Sequence, residues 1–197
     1  MANDTIGLIV GLGNPGDQYA KTRHNAGFWF IDALAKHYGG QLSFQSKYKA
    51  ETAQIQIGGQ TVHLLKPQTF MNKSGESVQA LTQFYKIPIE SVLVAHDELD
   101  IPTGAIRLKR GGGHGGHNGL RDIIAKHGNN ANFARLRIGI DHPGHKSMVT
   151  SHVLNKASMD EMILIERAID EAVASTEKII HNQWSDVQQT LHRLPNT

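Results

Sequence analysis

Five small polar side chains stand where apolar, strand-like runs give way to loops and helical patterns: Asn14, His24, Asn72, Asp97 and Asn118. Histidine is a base near neutral pH. A carboxylate bonded to one ring nitrogen fixes the tautomer and supports the imidazolium that forms on proton uptake. Amides hold peptide groups and steady a developing oxyanion. The chain has no cysteine, and no serine occupies a G-x-S-x-G elbow. The expected chemistry is therefore direct attack by water, with no covalent intermediate. Each group also has a plainer use. Asn14 can make an Asx-turn ahead of Pro15. Asn72 can cap a helix, a task Ser74 does as well. Asp97 and Asp100 can face water.

Two other chemistries are suggested by local patterns. Gly11-Leu12-Gly13-Asn14-Pro15-Gly16 is a literal G-x-G-x-x-G after an apolar run. A dinucleotide site needs its third glycine to open a helix, and an acid about twenty residues on at the end of a second strand. Here Pro15 removes an N–H from the loop. The chain stays polar through Asn25, and Asp32 falls inside a helical pattern. The context fails, and no nicotinamide cofactor is expected. Metal binding is the other use for 12 histidines. His114 and His117 are three apart and His96-Asp97 could join them, but the pair sits in glycine. No H-E-x-x-H or cysteine pattern is present, so no metal is expected.

The elements that must position these groups alternate strand and helix. Residues 6–11 form a short apolar run ending in glycine, a buried strand. From Asn25, apolar residues at Phe28, Ile31, Leu34 and Ala35 with Gly39 as a stop predict a helix. Runs at 49–57 and 61–66 flank Gly58-Gly59-Gln60 as a hairpin. Val78, Leu81 and Phe84/Tyr85 mark a helical stripe. Residues 91–96 read as a buried strand and 104–110 as an exposed, alternating one. Asn118 is the expected N-cap of a helix carrying Leu120, Ile123, Ile124 and His127, with Gly128 as its stop. Residues 134–140 give a further strand. Ser158 and Glu161 form a capping box before a long helix with Met162, Ile165, Ile169, Val173 and Ile179 or Ile180 on its apolar stripe. The expected fold is α/β, one domain over 1–197, with a twisted mixed β-sheet flanked by helices.

Composition agrees with a soluble globule: 197 residues, 39% hydrophobic and 19% charged. The first residues lack a charged n-region and a long apolar h-region, and no apolar run approaches a membrane span. With no cysteine, a cytoplasmic protein is expected. The net charge of +2 hides an asymmetry. Residues 104–150 hold 8 Lys/Arg against 2 Asp/Glu, whereas 1–103 hold 8 against 9 and 151–197 hold 4 against 7. The basic block contains "GGGHGGHNG" (111–119), so an anionic partner is expected there.

Taken in order, "GLGNPGDQYAKTRHNAG", "KPQTFMNKSG", "HDELD" and "GGGHGGHNGLRDI" resemble the bacterial peptidyl-tRNA hydrolase family. "FARLRIGI" and "SHVL" extend the match over nearly the whole chain. The resemblance implies a monomeric cytoplasmic α/β enzyme that cuts the ester between a peptide and the tRNA 3′ end. It implies recycling of tRNA from abandoned translation, with no cofactor. By the same resemblance His24 is the catalytic histidine and Asp97 its partner. Asn14, Asn72 and Asn118 match peptide- and water-binding amides, while Tyr19, Met71 and His117 match pocket-lining positions. Lys109 and Arg137 match residues that hold the tRNA near its 5′ phosphate, with Arg107 close by. Asp141 stands where many relatives have glycine, and His152 replaces a commoner aromatic. A non-catalytic RNA-binding relative of the same fold is the alternative; His24, Asp97, Asn14 and Asn72 weigh against it.

Overall fold

The computed structural model describes residues 5–195. Strands are β1 (Leu8–Gly11), β2 (Ser43–Gln45), β3 (Ala50–Ile57), β4 (Gln60–Pro67), β5 (Val92–Glu98), β6 (Ile106–Arg110) and β7 (Ala134–Gly139). Helices are α1 (Ala26–His37), α2 (Ser74–Tyr85), α3 (Asn118–Lys126), α4 (Val149–Val153), α5 (Met159–Ala174), α6 (Thr176–Ile180) and α7 (Trp184–Leu191). The seven strands form one sheet in the order β2-β3-β4-β1-β5-β7-β6. β4, β1, β5 and β7 run parallel at its centre. At one edge β3 is antiparallel to β4 and β2 to β3, and at the other β6 is antiparallel to β7. The mixed α/β sheet expected from the sequence is the one observed.

Both faces are covered, which is why β1 and the first four residues of β5 are wholly apolar. Leu8, Val10, Val92 and Val94 pack with Val78 and Leu81 of α2 and Leu120 and Ile123 of α3. The alternate residues Ile9, Leu93 and Ala95 pack with Phe30, Ile31 and Leu34 of α1 and Ile165 and Ile169 of α5. Because the four central strands are parallel, their carboxyl ends open on one edge. Ligands of open α/β sheets bind at such an edge.

The glycines of the N-terminal motif serve packing. A Cβ on Gly11 would overlap the Gly27 carbonyl oxygen, and a Cβ on Gly27 would overlap the Ala95 oxygen and the Leu12 nitrogen. Bare backbone at both positions lets the start of α1 lie directly on the ends of β1 and β5. No helix opens at Gly16; a 3-10 turn at Asp17–Tyr19 follows, and α1 begins only at Ala26.

Several local expectations are corrected. The N-cap of α3 is His117, whose ring accepts from the Gly119 and Leu120 amides, and Asn118 is the first helical residue. The long C-terminal helix breaks at Ser175 into α5 and α6. Phe84 and Tyr85 are 59% and 40% exposed, because α2 ends there and Lys86 turns left-handed. Their rings gather with Tyr48, while Val78 and Leu81 carry the buried stripe. The Ser158–Glu161 capping box is present as expected.

Candidate active site

His24 lies in the 3-10 turn Arg23–Asn25 that leads into α1. That turn is fastened on both sides. The Arg23 amide donates to the Asn155 oxygen, and the Arg23 guanidinium reaches the Glu161 carboxylate at 2.8 Å and the His152 oxygen at 3.0 Å. Asp97, 3% exposed, is the second-last residue of β5, where the strand delivers it to the carboxyl edge. His24 Nδ1 stands 2.9 Å from Asp97 Oδ2. With Nδ1 bound there, the ring leaves Nε2 for the cavity that His24 lines. Burial opposes a charge on His24 most strongly, but the attraction of Asp97 and its hydrogen bond outweigh it, so the histidine is raised above its ordinary value. Burial likewise works against ionisation of Asp97, yet His24 and His117 hold its carboxyl far below the usual range.

The other oxygen of Asp97 is 2.8 Å from His117 Nε2. His96, fully enclosed beside them, donates from Nδ1 to the Asp97 backbone oxygen at 2.8 Å. Its burial lowers its pKa to about 3, so it stays neutral. His24, Asp97 and His117 offer three ligand atoms within 4.8 Å of one another. The facing nitrogens are already spent on Asp97, so a cation would have to displace both hydrogen bonds.

The amides converge on the same cavity of about 350 Å³. Asn14 is 7% exposed, and its position is set by a reciprocal pair with Asn25. Asn14 N–H donates to Asn25 Oδ1 at 2.8 Å, and Asn25 Nδ2 donates to Asn14 O at 3.0 Å. Asn14 Oδ1 accepts the Met71 amide at 2.8 Å, joining the end of β1 to the turn after β4. A local Asx-turn is therefore not its use. Asn72 follows Met71, is exposed, and lines the cavity with no side-chain hydrogen bond among the described residues. Asn118 lines it from the start of α3, with its Oδ1 taken by Arg121 at 2.8 Å. Val149, Thr150, Val153 and Leu154, on and after α4, add a mostly apolar, uncharged part of the lining.

Of the expected site residues, the fold brings Asn14, His24, Met71, Asn72, Asp97, His117 and Asn118 to this cavity. Tyr19 does not line it; its ring meets Phe70, which does, edge-on at 6.5 Å. Lys109 and Arg137 line a smaller adjoining cavity that shares His96, Glu98 and His114 with the first. Arg137 is held there by Glu98 at 2.9 Å. Arg107 lines neither cavity; its guanidinium bonds the Ile106 and Leu194 oxygens.

Three contributors escape a reading of the sequence. Asn25 positions Asn14, Glu98 holds Arg137, and Arg135 holds the glycine loop. Arg135 is 2% exposed; its guanidinium binds the Gly112, Gly113 and Ala131 oxygens and lies over the Phe133 ring. Four of the loop's glycines have positive φ, while a Cβ at Gly113, Gly115 or Gly116 would touch nothing. Backbone conformation, and not crowding by protein atoms, therefore accounts for most of that loop's glycine. Asp141 has φ +67°, a left-handed conformation that glycine adopts freely and aspartate tolerates. The His152 ring bonds the Ile140 oxygen at 2.9 Å, while its backbone oxygen accepts from Arg23.

Comparison with known proteins gives a consistent result. The family model described as Peptidyl-tRNA hydrolase matches residues 8–197. The peptidyl-tRNA hydrolase of Tolumonas auensis is 56% identical over 192 residues, 98% of each chain. That of Halorhodospira halophila is 53% identical over 185 residues, covering 94% of this chain and 95% of its own. The crystal structure of peptidyl-tRNA hydrolase from Acinetobacter baumannii superposes with a TM-score of 0.92 at 49% identity, covering 98% of this chain and 96% of that one.

Proposed function

The chain belongs to the peptidyl-tRNA hydrolase family and is an esterase acting on the peptidyl-tRNA ester bond, and from that premise we propose that His24 is its general base and Asp97 the partner that orients it. The single observation that carries the assignment is the 2.9 Å contact between His24 Nδ1 and the buried Asp97 carboxylate at the cavity.

In this reading Asp97 takes the Nδ1 proton of His24 as a hydrogen bond, so the Nε2 lone pair points to water in the cavity. Water loses its proton to Nε2 as its oxygen adds to the ester carbonyl. The imidazolium is stabilised by Asp97, which stays ionised. Amide N–H groups of Asn14, Asn72 and Asn118 serve the peptide and the developing oxyanion. Collapse of the tetrahedral intermediate releases the 3′ ribose oxygen, which takes the proton back from His24. Peptide acid and free tRNA are the products. An ester suits one histidine and water, because its alkoxide leaves more readily than an amine. Lys109 and Arg137, in the block with 8 basic against 2 acidic residues, take the tRNA backbone beside the cavity.

We read it as a monomeric enzyme working in the cytoplasm on tRNA from abandoned translation, without a cofactor or metal. No helix among the described residues is long and apolar enough to cross a membrane. The test is release of free tRNA from N-acetyl-aminoacyl-tRNA by the wild type and by His24→Ala. A non-catalytic RNA-binding protein would bind that substrate without turnover.

A further inference from the structure

His117 has both ring nitrogens engaged. Nε2 is 2.8 Å from Asp97 Oδ1, and Nδ1 is 3.1 Å from the Gly119 amide and 3.4 Å from the Leu120 amide. Backbone amides only donate. Nδ1 must therefore present its lone pair, and the ring proton sits on Nε2, donated to Asp97. A second proton on Nδ1 would face two N–H groups at the positive end of α3. The cap alone does not call for histidine, since serine, threonine, aspartate and asparagine are the preferred N-caps. What the imidazole adds is the second nitrogen, held on the far side of the ring at the reach of Asp97.

We propose that His117 is a positioning residue: a neutral ring, locked in one tautomer by the first amides of α3, that holds the Asp97 carboxylate by constant Nε2–H donation and limits how tightly Asp97 keeps a proton on His24. The proposal rests on His24 being the base. Asp97 divides its two oxygens, Oδ2 to His24 and Oδ1 to His117. Negative charge drawn toward Oδ1 is withdrawn from the imidazolium at Oδ2. His24 is thereby kept nearer the pH at which a general base is most effective. His117 cannot relay the proton onward, because its only free lone pair is spent on the helix. The other ionisable groups around the cluster are His96 and Glu98 of β5, His114 of the glycine loop, and Lys109, Arg135 and Arg137 of β6 and β7. The α4 wall brings Val149, Thr150, Val153 and Leu154, none of them charged.

Histidine ¹⁵N resonances of the intact protein, followed from about pH 5 to 8, read the tautomer directly. The expected result is one ring that keeps Nε2–H and an unprotonated Nδ1 throughout, assigned to His117 by its loss in His117→Ser. A His117 ring that titrates in that range, or carries its proton on Nδ1, overturns the proposal. Serine retains a cap for α3 but brings no donor to Asp97. In His117→Ser the acidic limb of kcat/KM should move up by about one pH unit, the scale of one hydrogen bond to a charged group. Glutamine, whose amide can reach Asp97, should recover part of the shift. An unmoved limb in folded His117→Ser also overturns it. The resonances are read on the resting protein, so they test His117 independently of the role of His24, which the turnover of His24→Ala decides.

Discussion

Replacing Asp97 by asparagine changes one oxygen to an NH₂ group and almost no volume, yet the site dictates a large effect. Asp97 now accepts at both oxygens, from His24 and from His117. Asparagine offers one acceptor and one donor. His117 cannot turn its proton away, because its Nδ1 is held by the Gly119 and Leu120 amides. The new NH₂ therefore faces His24 and donates to Nδ1. The His24 proton must move to Nε2, the nitrogen that faces the cavity, where a lone pair is needed. General-base action is worth about 10²–10⁴ in rate, so we predict a loss of turnover in that range with little change in KM. The assay is tRNA release from N-acetyl-aminoacyl-tRNA at saturating substrate, with thermal unfolding to verify the fold. Folded Asp97→Asn turning over within about tenfold of wild type, a factor below that range, would refute the reasoning, as would a His24 that still carries its proton on Nδ1 in the variant.

Three further outcomes are expected. Lys109→Ala and Arg137→Ala should raise KM for peptidyl-tRNA more than they lower kcat, and each should reduce the salt slope of log affinity by about one; equal slopes for these and for Lys178→Ala on α6 would make them ordinary surface charges. Gly27→Ala should destabilise by about 1–3 kcal/mol in chemical denaturation, since its Cβ would overlap the Ala95 and Leu12 backbone; an unchanged midpoint would mean the approach of α1 to β1 is not tight. For pH, His24 is raised in the folded state, so its stabilisation is complete below its unfolded value and lost as pH climbs through the raised one. Asp97 is depressed, so its share is present above its unfolded value and lost as pH falls through the folded one. The melting-temperature advantage of wild type over His24→Gln should then be larger near about pH 5 than near about pH 8, and the reverse order would contradict the sign of the His24 shift.

The fold is legible in the sequence wherever burial imposes a period. β1, β3, β4, β5, β7, α1 and α3 each bury a stripe or a whole run, and their apolar residues show it. β2 is three exposed residues, α4 is a single turn and a half, and α7 buries only Val187 and Leu191, so none leaves a pattern to read. Asp97 can be found as a carboxylate at the end of a buried strand. Its partner cannot be found by spacing, because His24 is 73 residues away and the pairing exists only once α1 lies across β1 and β5. The family resemblance supplies it. Arg135 escapes notice because a charged residue in an alternating strand reads as solvent-facing; the three carbonyls that accept its hydrogen bonds in place of water come from loops. His117 reads as a pocket wall so long as the cap of α3 is expected one residue later, at Asn118. With the cap on His117 itself, the ring orientation and its hold on Asp97 follow.

The central claim is that one histidine, oriented by a buried carboxylate, activates the water that cuts the ester. Single-turnover hydrolysis of N-acetyl-aminoacyl-tRNA by His24→Ala, with binding of the same substrate measured in parallel, tests it most directly. The account predicts a folded variant that binds the substrate close to the wild-type level and loses about 10²–10⁴ in the rate of tRNA release. A folded His24→Ala that releases tRNA at close to the wild-type rate would contradict it.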